Sequence, residues 1–479
     1  MEKKSKISRK VQKIILGVCI VAVLGLGIGL FAYIHIIDTT TMGRKISVDG
    51  LDISQLSVEE AQQKILNAFQ NKKVSFVEDG ETIYQTTLRD LGYTLDETSL
   101  NSQLSALKEE RAQKFTLLPS QKDYEIEYHI QKNEEQEKNA LTEQHFAGKE
   151  RTASRDASVQ YNTDSKQFEL ISDIQGNQID ETKLLSYTEE TLETAFEKEL
   201  LAKEAQVTLG TQVYQDAAVT VSEEMQTKVA ELNQELGNYR STTVTYVFGN
   251  TTEVIDLATI DSWLKIDGET ISIDQDAAAS YVSNLANTYN TIYIPRTFHT
   301  STGTDVVVQD NEYGYRIDQD AEVAQLLEDL KSGTAVTREP IYSKNGMQRN
   351  GTDDLVGSYI EVSLDAQHLW LYKDGSLVTE TDIVSGSPSK EETYRGAWPI
   401  AYKASPFTLS SEENGYSVEV KYWMPFVYGQ GLHDANWQPA FGGDRYRTGN
   451  GSHGCINLPE DQAALIYNTI DGGYPIIIY

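Results

Sequence analysis

From Ile14 to Ile37 the chain is apolar, broken only by small residues and His35. A bilayer core needs roughly 20 such residues, so the run predicts a transmembrane helix. Lys3, Lys4, Lys6, Arg9, Lys10 and Lys13 precede it, while Asp38 and a threonine run follow. Excess positive charge marks the cytoplasmic side, which makes 1–13 a cytoplasmic tail, 14–37 the membrane segment and the remainder extracellular. A cleaved signal peptide is the alternative, but the run exceeds a usual signal core and no small-x-small cleavage site follows it.

Beyond the apolar run the pattern becomes helical in short stretches, each opened by a capping residue. Ser57 precedes Ala61, Ile65, Leu66 and Phe69 at helical spacing, with Glu60 placed to complete a capping box. Gly176 to Asp180 leads into Leu184, Leu185, Thr188, Leu192 and Phe196. Gly268 to Asp274 leads into Ala278, Tyr281, Val282 and Leu285, and Gly314 to Asp318 into Val323, Leu326, Leu327 and Leu330. A turn glycine, an apolar residue and an aspartate cap, used repeatedly, predict related α+β modules over 38–215 and 216–350. Between Gln131 and Arg155 Glu, Gln and Lys crowd out apolar residues, predicting a solvated helix or a mobile connector. From Tyr359 the period changes to two: Tyr359–Ser363, His368–Tyr372 and Leu377–Val384 alternate around the turn Lys373-Asp374-Gly375. Asp-Gly between alternating stretches is a strong hairpin signal, so a mainly β domain is expected over 356–479.

Composition narrows the function classes. At 479 residues, at least two domains are expected, with three or four the favoured number. Lys and Arg total 41 against 72 Asp and Glu, a net charge of −31, which repels nucleic acid. Only two cysteines occur, and Cys19 lies in the apolar run, so Cys455 is the sole thiol of the outward part. A single unpaired thiol in an exported chain points to reactivity rather than a structural disulfide.

Two blocks near the C-terminus carry chemistry: Gly431-Leu-His433-Asp-Ala-Asn-Trp437 and Gly451-Ser452-His453-Gly454-Cys455-Ile-Asn457. A free thiol is only slightly ionised at neutral pH, so a nucleophilic cysteine needs an imidazole or a positive field. His453, two residues before Cys455, would share its face on a strand, whereas His433 must arrive by folding. Gly454 leaves the backbone bare for a substrate carbonyl, and neighbouring amides could stabilise an oxyanion.

Together these blocks resemble the L,D-transpeptidase family, whose signature is a distal histidine, a variable loop, then Ser/Thr-His-Gly-Cys and an asparagine two residues on. Ser452, His453, Gly454, Cys455 and Asn457 match it in place, and the resemblance covers about the last 120 residues. The upstream modules resemble peptidoglycan-binding domains that precede this catalytic domain in Gram-positive wall enzymes. With the apolar run as anchor, the resemblance implies an enzyme of the cell surface, without cofactor or metal, that acts on peptidoglycan stem peptides and glycan. It implies Cys455 as nucleophile, His433 as general base, and Gly454 and Cys455 amides as oxyanion donors. His453 and Ser452 would orient the loop, Asn457 and Trp437 would face substrate, and carbapenems would acylate the thiol. An L,D-carboxypeptidase and a non-catalytic wall-binding protein are the alternatives.

Two features depart from the family pattern. The loop 434–451 is 18 residues long, enough to form its own lid, and Thr393-Tyr-Arg-Gly396 stands where many relatives carry Thr-Pro-x-Gly. The residues also weigh against rivals. A zinc site from His433, His453 and Cys455 lacks a fourth ligand. A sortase requires an arginine after its cysteine, and none follows Arg447. His368, in an alternating strand, is expected to be structural.

Overall fold

The computed structural model describes residues 8–114, 116–412 and 415–479. Lys3, Lys4 and Lys6 of the expected cytoplasmic tail lie outside the described residues. The apolar run lies within one helix, Arg9–Thr40, long and apolar enough to cross a membrane. A signal sequence would meet the same test of length and composition.

The chain divides into two compact units. The first runs up to Ser158 and resumes over Ile171–Ser222; the second comprises Val159–Leu170 and Glu223–Tyr479. The division is therefore not contiguous, as 38–215 followed by 216–350 would require. Phe168, on the hairpin Ser158–Asn162 and Gln167–Ile171, enters the second unit's core, where it packs with Leu232, Leu236 and Tyr239.

Within the first unit, Lys73–Glu78 pairs antiparallel with Glu81–Thr87 and parallel with Glu204–Leu209. In the second, Thr243–Phe248 pairs antiparallel with Thr251–Ile255 and parallel with Ala335–Arg338. Both three-stranded sheets follow a helix, Val58–Gln70 or Glu223–Ser241, and receive their last strand after an aspartate-capped helix, Glu181–Glu199 or Gln319–Leu330. The shared topology is that of a duplicated α+β module. The predicted caps form: Ser57 and Glu60 make both hydrogen bonds of a capping box, and Asp180, Asp274 and Asp318 each accept from backbone amides of the following turn.

The acidic stretch after Gln131 is neither solvated throughout nor a loose connector. Glu134–Ala140 is a helix and Glu143–Phe146 a 3-10 turn, and Phe146 is buried against Phe76 and Tyr84. Phe146, Leu141 and the buried Glu137, which accepts from Tyr93 (2.8 Å), dock a segment whose composition is otherwise polar.

Glu322 is fully buried in the second module, where it accepts from Tyr246 (2.6 Å), from Arg338 (2.6 and 2.9 Å) and from the Ile341 amide (2.7 Å). Removing Glu322 leaves the buried Tyr246 hydroxyl and the Ile341 amide without their acceptor and Arg338 with Asp329 as its one carboxylate. Glu322→Ala is expected to lower the opening free energy of the strand Thr243–Phe248, read by hydrogen exchange, by about 3–5 kcal/mol.

The C-terminal part carries a five-stranded sheet ordered Ser376–Asp382, His368–Lys373, Tyr359–Ser363, Pro475–Ile478, Gly396–Pro399. Asp374 and Gly375 both take positive φ (49° and 77°) in the predicted hairpin turn. A smaller sheet orders Trp423–Val427, Gln430–Asp434 and Ile456–Leu458. The helix Glu460–Thr469 contributes Ala463 and Ile466 to the core they share. A second small core, in which Phe298, Val308 and Tyr313 meet Ala397 and Ile477, joins the 216–350 module to the catalytic sheet.

Candidate active site

The smaller sheet positions the two reactive side chains. His433 lies on Gln430–Asp434, which runs parallel to Ile456–Leu458 with His433 opposite Asn457. Cys455 immediately precedes that second strand, so strand pairing brings the two sequence blocks together. Asn457 is fixed further by two backbone hydrogen bonds with Val384, 2.9 and 3.1 Å.

His433, Cys455, Asn457, Trp437, His453 and Ser452 all line one cavity of about 400 Å³. The hairpin of Phe407–Ser411 and Tyr416–Val420 walls one side through Leu409, Tyr416 and Val418. The loop 434–451 walls the other through Gln438, Pro439, Gly449 and Asn450, and contains the 3-10 turn Gly443–Arg447. Gln438 holds it by donating to the Asn450 carbonyl (2.8 Å), as Lys390 does to the Gly451 carbonyl (2.8 Å).

The His433 ring is 2% exposed, between the indoles of Trp423 (6.0 Å) and Trp437 (5.8 Å). Burial pushes its pKa below the ordinary histidine value, so the ring is neutral at pH 7. Its Nδ1 lies 2.9 Å from the Asp434 carbonyl, an acceptor only, so Nδ1 carries the proton and donates. Nε2 is thereby left as the basic nitrogen. The Asp434 carboxylate accepts from the amides of Lys421 and Tyr422, both at 2.8 Å, and anchors the strand end.

Cys455 is part-exposed at the cavity floor, but dense packing around the sulfur pushes the thiol up to about 11; the backbone of Gly431 opposes that shift. The resting groups are a neutral thiol and a neutral imidazole lining one cavity, not a preformed ion pair.

Thr393 and Gln430 brace the cysteine loop, and neither is among the residues expected at the site. Thr393 receives the Gly386 amide (2.9 Å) and donates to the Gly454 carbonyl (2.7 Å). Since a peptide is planar and trans, that bond aims the Cys455 N–H the opposite way. Ser452 Oγ donates to the Cys455 carbonyl. Gly454 takes φ +100°, and a Cβ there would lie 2.1 Å from Nε2 of Gln430. That backbone ends the strand Ser452–His453, so His453 and Cys455 do not share a continuous strand face. His453 stacks on Tyr416 at 5.5 Å instead. Trp437 is 51% exposed on the rim, and Oδ1 of buried Asn457 has no hydrogen-bond partner among the described residues. The Thr393-x-x-Gly396 motif carries a signal for Thr393. Gln430, three residues before His433, has none.

Burial of His433 has a stability consequence. The unfolded histidine protonates near pH 6.5, while the folded one stays neutral to lower pH. The unfolded state therefore binds more protons below pH 6.5, and stability must fall as pH drops through that window. Calorimetric melting of the catalytic transition between pH 8 and 5 is expected to show this fall, and His433→Gln to reduce it.

The chain matches the L,D-transpeptidase catalytic domain family over residues 357–478, and the family described as "Putative peptidoglycan binding domain" over 218–338. A cysteine-to-serine variant of the Enterococcus faecium L,D-transpeptidase is 32% identical, with 53% of this chain and 99% of that one covered (TM-score 0.45). The "Ldtfm" avibactam carbamoyl enzyme is also 32% identical, with 52% and 98% covered (TM-score 0.45). An E. faecium catalytic domain acylated by ertapenem is 42% identical over 26% of this chain and 97% of that one (TM-score 0.24). No curated protein sequence matches the chain.

Proposed function

We propose, for a chain that belongs to the L,D-transpeptidase family, that it cross-links peptidoglycan stem peptides through a thioester on Cys455. The observation that carries the reading is the pairing, in one cavity, of Cys455 with a neutral His433 whose Nδ1 proton is committed to the Asp434 carbonyl.

In the first half-reaction Nε2 of His433 takes the thiol proton as sulfur attacks the carbonyl before a terminal D-alanine. The oxyanion is held by the Cys455 N–H, with Gly454 contributing a second amide. Collapse breaks the peptide bond, His433 returns the proton to the leaving amine, and D-alanine departs from a thioester. An amine of a second stem then attacks the thioester, gives its proton to His433, and restores the thiol. Ser452 and His453 hold the loop, while Asn457 and Trp437 meet the stem.

The helix containing 14–37 anchors the chain, with 1–13 cytoplasmic, and the two upstream α+β modules, the second including residues 159–170, hold wall polymer for the domain 356–479. β-Lactams, carbapenems among them, acylate Cys455, as the ertapenem-acylated relative suggests.

The test incubates the detergent-solubilised full chain, wild type and Cys455→Ala, with a disaccharide-tetrapeptide. D-alanine release with a cross-linked dimer in the wild type alone is the expected result. Release without dimer would make it a carboxypeptidase; no release and no ertapenem adduct on Cys455 would leave a wall-binding protein.

A further inference from the structure

Away from the cysteine cavity, the second unit carries a groove of about 400 Å³ between the 216–350 module and the catalytic sheet. Its lining is aromatic and open. Tyr428 is 74% exposed and Tyr293 52%, and both residues hold left-handed backbone, φ 43° and 62°. Bulky residues rarely adopt that conformation, and it persists chiefly where the structure needs the side chain in one place. Tyr394 meets Tyr428 edge to face at 5.4 Å, with Trp398 6.3 Å from the same ring.

Two polar side chains lie beneath these rings. Trp398 and Asn311 also line the groove and are 4% and 3% exposed, yet Nε1 of the one and Oδ1 of the other have no hydrogen-bond partner among the described residues. Buried polar atoms are ordinarily paired. Both atoms are themselves closed to solvent, so the exposed rings and the acidic lining are what a ligand meets first. A pyranose offers the complement: C–H faces drawn to the negative faces of aromatic rings, and hydroxyl and acetamido groups that both donate and accept. Asp310 and Glu312, also in the lining, accept from hydroxyls but repel phosphate- or carboxylate-bearing polymers.

We propose that this groove is a glycan subsite, taking N-acetylated sugar rings of the strand whose stem peptide reaches Cys455. The inference rests on the transpeptidase reading. The groove is tied to the catalytic loop through Gln430, whose Oε1 accepts from the Tyr394 amide (2.9 Å) while its Nε2 packs on Gly454. Tyr428 stands two residues before Gln430 on the turn that leads to His433.

The test uses the detergent-solubilised full chain as wild type, Tyr293→Ala/Tyr428→Ala and Tyr428→Phe. Saturation-transfer NMR with a β-1,4-linked N-acetylglucosamine tetramer reads binding without turnover. Transfer to the sugar C–H protons is expected in the wild type and in Tyr428→Phe, and is expected to vanish in the double variant. In turnover the double variant should raise KM for a disaccharide-tetrapeptide about 2–10-fold, the size of an aromatic contact, with kcat held and KM for the bare tetrapeptide unchanged. An equal KM rise on both substrates would assign the groove to peptide and overturn the proposal, as would wild-type transfer that survives in the double variant or never occurs. If the wild type turns over neither substrate while the sugar signal behaves as expected, the transpeptidase reading fails and the glycan subsite stands.

Discussion

His433→Ala is expected to slow acylation of Cys455 by ertapenem about 10²–10⁴-fold at pH 7, and the deficit is expected to shrink as pH rises. The reason lies in the resting protonation states. With the thiol pushed up to about 11, the thiolate at pH 7 is on the order of one molecule in 10⁴, so spontaneous ionisation supplies little nucleophile. In the wild type the neutral ring accepts the proton as the sulfur attacks, and no free thiolate need accumulate. Without the ring only the ionised fraction reacts, and it grows about tenfold per pH unit until the thiol titrates. Stopped-flow acylation from pH 6 to 10 should show a steep line for the variant converging on a shallower wild-type profile. A variant profile that runs parallel to the wild type, or a loss below tenfold, would remove His433 from the base role.

The candidate nucleophile, Cys455, is legible in the amino-acid sequence alone. Cys455 stands out because the other thiol, Cys19, lies in the apolar run, and the glycine and polar residues around Cys455 make a poor core segment. Caps such as Ser57 and Asp274, and the turn at Asp374-Gly375, are readable because each is a bond between residues two or three apart. Gln430 and Thr393 are not, because what they do is set by partners far along the chain. Thr393 reaches the Gly454 carbonyl across 61 residues, and Gln430 reaches the Glu392 carbonyl across 38. Nor does any local pattern announce that Phe168 crosses into the second unit's core, or that Phe298 and Ile477 share one. Strand pairing and burial decide these, and both are non-local.

The same non-local bracing sets the second large effect. Gly454→Ala is expected to destabilise the catalytic domain by about 2–4 kcal/mol, the sum of a left-handed backbone for an L residue and a core overfilled by one methyl group. At φ +100° the new Cβ would stand 2.1 Å from Nε2 and 2.6 Å from Cδ of Gln430. A free glutamine would swing aside. This one is 2% exposed, donates to Glu391 (3.1 Å) and to the Glu392 carbonyl (3.0 Å), and accepts from the Tyr394 amide (2.9 Å), so moving it breaks three bonds. Gly375→Ala is the control: φ is also positive, +77°, but nothing lies within 4 Å of the added carbon, so only the backbone cost of about 1–2 kcal/mol applies. Chemical denaturation of the two variants separates backbone strain from collision by their difference. Adding Gln430→Ala to Gly454→Ala should recover part of the collision cost without recovering acylation, because the loop that aims the Cys455 amide has then lost its brace. Equal destabilisation of Gly454→Ala and Gly375→Ala would show that Gln430 yields freely, and that the brace does not hold the loop as its bonding implies.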